Sequence, residues 1–106
     1  MNKNFRTYDL ALQFYKETHS EGTGIKNKLQ TAELRDQFHR ATLSVVLNLS
    51  EGSAKPTIRD RKKFYSIALA SLREVQTLLD ITGNENFSVK ADTLAAHLYK
   101  LCKSCG

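Results

Sequence analysis

Leu34-Arg35-Asp36-Gln37-Phe38-His39-Arg40-Ala41-Thr42-Leu43-Ser44-Val45-Val46-Leu47-Asn48-Leu49-Ser50-Glu51-Gly52 decides the fold class. Within it Leu34, Phe38, Ala41, Val45 and Leu49 recur at steps of four, three, four and four, which winds one apolar seam down a single face of an α-helix. Leu43, Val46 and Leu47 widen the seam until the C-terminal half is apolar nearly all round. Such a helix must be covered on more than one side.

The flanking sequence supplies the cover. Breaks at Glu21-Gly22-Thr23-Gly24, Glu51-Gly52-Ser53-Ala54-Lys55-Pro56 and Thr82-Gly83-Asn84-Glu85-Asn86 divide the chain into four periodic segments. The first runs from about Phe5 to His19, with Tyr8, Leu12 and Tyr15 on one stripe and Leu10 and Phe14 beside it. The third is capped by Thr57, with Asp60 as a weaker capping-box partner. It carries Phe64, Ala68, Ser71, Val75 and Leu78, with Ile67, Leu72 and Leu79 alongside, until Gly83 stops it. The fourth is expected to be the shortest, capped by Ser88 and striped by Leu94, Leu98 and Leu101. Small residues, Ala41 and Ser44 against Ala68, Ala70 and Ser71, let the two middle helices approach closely. Short connections make sequence neighbours antiparallel, so the expected architecture is all-α, an up-down four-helix bundle forming one domain over residues 1–106.

Composition agrees. Five Gly and one Pro are too few turn-makers for a many-stranded sheet, and 41% hydrophobic with 25% charged residues is an ordinary globular balance. No apolar run approaches the roughly 18 residues of a membrane span, and no signal-peptide core follows Met1, so a cytoplasmic location is expected. The net charge of +5 and a pI near 9.4 suit a polyanionic partner, although solubility alone also accounts for them.

The distribution of charge says more than its total. Lys55, Arg59, Arg61, Lys62 and Lys63 are opposed locally by Asp60 alone. Most fall on the first turns of the third helix, where the macrodipole disfavours cations. Arg59, Lys62 and Lys63 lie at i, i+3 and i+4, one exposed face able to track phosphates. The alternative is an ordinary solvated face.

Gln37-Phe38-His39-Arg40-Ala41, then Ser44, then Asn48-Leu49-Ser50-Glu51-Gly52, and later Ala68-Leu69-Ala70-Ser71-Leu72-Arg73-Glu74, form a pattern with a family likeness. It resembles the four-helix-bundle proteins encoded in intervening sequences of bacterial 23S ribosomal RNA genes. That family's usual run is Gln-x-Arg-Arg-Ala, a Ser three residues on, Asn-Ile-Ala-Glu-Gly ending helix two, and Gly-Ser-x-x-Glu in helix three. The resemblance extends from Phe5 to about Ile81, with His39 in place of the first Arg, Leu49-Ser50 in place of Ile-Ala, and Ala70 in place of Gly. A related branch, the accessory variability proteins of diversity-generating retroelements, forms homopentameric barrels whose basic surface engages a reverse transcriptase and its RNA. Helix two is apolar on more sides than one bundle covers, leaving Leu43 or Leu47 for a neighbour, so a homo-oligomer is expected. The resemblance implies a pentamer on that branch and a reverse transcriptase as a candidate partner.

The motif residues also have purely structural readings. Gly52 suits a left-handed helix C-terminus, and Asn48 can hydrogen-bond backbone at the bundle end. A buried Glu51 paired with Arg40 or Arg73 would align helices, and Gln37 and Glu74 suit inter-helix polar contacts. Arg40 and Arg73 also join the candidate nucleic-acid contacts. Tyr8 and Tyr15 suit either base stacking or packing.

Catalysis is not expected. His19, His39 and His97 lie on three segments, none with a carboxylate or thiol at motif spacing, and no Gly-rich phosphate loop or Glu-x-x-His pair is present. Cys102-Lys103-Ser104-Cys105 offers two zinc ligands where four are usual, and is expected to be a frayed terminus. No metal or cofactor is expected. Two functions remain: a nucleic-acid-binding protein, RNA favoured over DNA, or a protein-protein scaffold such as an accessory subunit.

Overall fold

The computed structural model describes residues 5–20 and 31–104. The predicted break at Glu21-Gly22-Thr23-Gly24, and Cys105, lie outside them. Four helices follow one another: α1 (Arg6–Thr18), α2 (Ala32–Ser53), α3 (Ile58–Thr82) and α4 (Glu85–Ser104). No strand occurs among the described residues. Each helix packs on its sequence neighbour, and α1 closes the ring on α4. Contacts between Phe5 and Tyr65 at one end and between Phe14 and Phe87 at the other fix the up-down-up-down order. The bundle measures 41 × 22 × 20 Å.

Local chemistry sets the ends. Thr31 accepts a hydrogen bond from the Leu34 N–H and opens α2; Thr57 does the same for Asp60 and opens α3. Gly83, at φ 70°, ends α3 in the left-handed conformation that glycine adopts without penalty. The cap of α4 is Asn84, whose Oδ1 accepts from the Phe87 N–H, and not Ser88, which lies inside the helix. A side-chain acceptor placed directly after Gly83 starts the helix one turn earlier than predicted. At 20 residues α4 is longer than α1, at 13.

The α2 seam is buried as its spacing requires: Phe38, Ala41, Val45 and Leu49 line the core and Leu34 is half-buried. They meet Ala68, Leu72, Val75, Leu78 and Leu79 of α3, with Leu94 and Leu98 of α4 completing the interior. On α1 the innermost line is Thr7, Ala11, Phe14 and Thr18. The expected stripe of Tyr8, Leu12 and Tyr15 is only partly buried beside it. Small residues on the innermost line bring α1 close and push the larger rings to its flanks. On α3, Tyr65 is buried while Ile67 is 41% exposed, and Ala70 is exposed too.

Gly52 corrects a second expectation. It is helical and buried, not left-handed. A Cβ there would stand 2.7 Å from Tyr65 Cε1 and 3.1 Å from Phe64 Cβ. Its role is close approach: α3 lays an aromatic ring against bare α2 backbone.

Candidate nucleic-acid interface

The turn from α2 to α3 sorts the five clustered cations into two groups. Lys55 is anchored: its ammonium is 3.3 Å from Glu51 and 5.0 Å from the Phe64 ring centroid. Arg61 reaches back, Nη1 donating to the Lys55 carbonyl at 3.0 Å, and so clamps the turn. Arg59, Lys62 and Lys63 instead project into solvent, with no ion-pair or hydrogen-bond partner among the described residues. Helical spacing keeps these three on one face.

Antiparallel packing adds cations that linear sequence keeps apart. The end of α4 lies beside the start of α3, so Lys103 joins Lys62 on the wall of a groove of about 580 Å³. Arg73 and Tyr99 continue that wall, and Leu69 and Ala70 contribute apolar surface. Tyr99 is 47% exposed, with the Lys103 ammonium 5.4 Å from its ring centroid. Farther along, Arg73 Nη1 donates to Gln76 Oε1 at 2.9 Å, and Gln76 Nε2 donates to Asp92 Oδ1 at 2.8 Å. Lys103 is a natural occupant of a helix C-terminus; the cations on the first turns of α3 face an unfavourable dipole.

The motif residues fall elsewhere and hold helices together. Ser44 Oγ and Ser71 Oγ are 2.8 Å apart across the α2–α3 contact, and Asn48 Nδ2 donates to the Ser44 carbonyl at 2.9 Å and to Ser44 Oγ at 3.0 Å. Asn48 thus bonds backbone as expected, but within the helix body. Glu51 is exposed and paired with Lys55, so it is neither buried nor joined to Arg40 or Arg73; the turn that follows α2 brings Lys55, four residues on, within reach instead. Gln37, Arg40 and Glu74 are exposed on helix surfaces, and none bridges helices among the described residues.

Two histidines separated in sequence are brought together. His39 Nδ1 lies 3.2 Å from His19 Nε2, where the ends of α1 and α2 meet. The Tyr15 carbonyl, 2.8 Å from His19 Nδ1, only accepts, so the His19 proton sits on Nδ1 and Nε2 accepts from His39. Burial holds the His19 pKa below 6.5; the Tyr15 carbonyl opposes this and His39 adds to it. Nothing in the linear spacing announced this pair, because it depends on how α1 and α2 are staggered.

Tyr8 packs against Phe5, and Tyr15 against His19 and His39, both half-buried beside the core. The exposed aromatic near the cations is Tyr99, which sequence reading missed because its register against α3 is a tertiary property. Cys102 is helical and packs against the core, not on a frayed end. No group of three or more His, Cys, Asp or Glu side chains that could hold a metal gathers among the described residues. Among these residues, no helix is long and apolar enough to cross a membrane.

The sequence pattern of the 23S rRNA-intervening sequence proteins matches residues 3–106. No curated protein and no protein of solved structure matches the chain.

Proposed function

This chain belongs to the 23S rRNA-intervening sequence protein family, and we propose that it is a non-enzymatic, cytoplasmic protein that binds RNA through the basic face of α3 and α4. The observation that carries the reading is the division of labour among cations. Lys55 and Arg61 are committed to the turn, whereas Arg59, on the first turn of α3 where the macrodipole disfavours a cation, and Lys62 and Lys63, one turn further on, project into solvent. Lys103 and Arg73 extend the positive surface along the neighbouring groove. Such a surface recognises phosphate backbone rather than base sequence.

Purification with and without nuclease tests this directly. RNA binding predicts an absorbance ratio that marks co-purifying nucleic acid and falls after nuclease and high-salt washing. Preparations free of nucleic acid that also fail to bind added RNA at low salt would overturn it.

The second reading is a protein scaffold, assembled from copies of this chain or serving as an accessory subunit of a retroelement reverse transcriptase. Leu47 favours it, being 56% exposed on the helix with the widest apolar face.

A further inference from the structure

We propose that the α3–α4 groove seats a base of single-stranded RNA, with Tyr99 as its stacking platform and Lys62 and Lys103 holding the flanking phosphates. This rests on the RNA-binding reading above and specifies which form of RNA the face takes. The groove is open to solvent and offers about 580 Å³, room for a nucleobase laid against Tyr99. Its wall combines an exposed phenol ring, the apolar surface of Leu69 and Ala70, and three cations. Paired RNA presents phosphates and groove edges but hides base faces; only a single strand offers both a π-face for the ring and a backbone for the cations.

The Lys103 ammonium already sits 5.4 Å from the Tyr99 ring centroid. An exposed cation–π contact is weaker than a base stack, so a base takes the ring face and releases Lys103 to a phosphate. Polarity follows from the far end. Asp92 shares the adjoining surface with Arg73 and Tyr99, and its carboxylate repels phosphate. The backbone is thereby confined to the end where Lys62 and Lys103 face each other, continuous with Arg59 and Lys63.

Binding of oligouridylate and of a fully paired RNA of equal length to the intact protein decides the matter. Tyr99→Ala is expected to weaken oligouridylate binding by roughly 5- to 150-fold and leave duplex binding unchanged. Tyr99→Phe retains the ring and should bind as the parent does. The Arg59→Gln/Lys62→Gln/Lys63→Gln variant should weaken both RNAs. If Tyr99→Ala leaves oligouridylate affinity unchanged while the triple variant loses it, the stacking groove is wrong and the basic face stands. Equal losses on both RNAs from Tyr99→Ala, with helicity preserved, would make Tyr99 structural and also overturn the groove. If neither RNA binds the parent protein, both readings fall.

Discussion

Gly52 lets the Tyr65 ring of α3 lie against the backbone of α2. Adding a Cβ removes the entropic cost of a helical glycine, a gain of about 1 kcal/mol. It also drives a methyl against the buried ring of Tyr65, and overpacking of this kind costs about 1–3 kcal/mol. Gly52→Ala should therefore lower stability by up to about 2 kcal/mol, read as a reduced urea midpoint at unchanged slope. Gly52→Ala combined with Tyr65→Leu should cost less than the sum of the two single substitutions, because the second removes the atoms the first would strike. The histidine pair gives a second residue-scale expectation. The folded state holds His19 below its ordinary pKa of 6.5, so it favours neutral imidazole. Its contribution to stability is complete above pH 6.5 and is lost as pH falls from there through the folded-state pKa. Proton NMR titration of His19 checks the direction. His39→Gln should raise the His19 pKa, since it removes a like charge, while burial still holds it down.

At the scale of elements, legibility followed locality. Thr57 and Gly83 bound α3 where their chemistry said they would, and Phe38, Ala41, Val45 and Leu49 were readable as core from spacing alone. The α4 cap was misplaced because Ser88 and Asn84 are both good cap residues, and only the turn geometry after Gly83 chooses between them. Asn84→Ala should cost about 0.5–2 kcal/mol, and Ser88→Ala much less, by thermal or urea unfolding. Features requiring the register of one helix against another were not legible. These include Tyr65 over Gly52, His19 beside His39, and Tyr99 and Lys103 facing Lys62. The basic cluster was visible because it lies on one helix face, but the diversion of Lys55 and Arg61 into the turn was not. The fold brings Glu51 within reach of Lys55, and the Lys55 carbonyl within reach of Arg61 Nη1, while Arg61 Nε stays buried without a partner among the described residues.

For the whole molecule, antiparallel packing concentrates positive charge at one end, because the start of α3 and the end of α4 are neighbours there. Leu47, on a different helix, is an apolar side chain at 56% exposure, and the scaffold reading assigns it to contact with further copies. Sedimentation at micromolar concentration is expected to report a species heavier than 12.0 kDa, and Leu47→Lys to shift it toward the monomer. The central claim is that Arg59, Lys62 and Lys63 contact phosphate, and the salt dependence of RNA binding measures it most directly. Each phosphate contact contributes about 0.7 to the slope of log affinity against log salt for a single strand, and about 0.9 for a duplex. Replacing all three with Gln should leave the fold intact, relieve the dipole at the start of α3, and lower the slope by roughly 2 to 3 per protomer engaged. An unchanged affinity and slope in that variant would contradict the account and leave the cluster a solvated helix face.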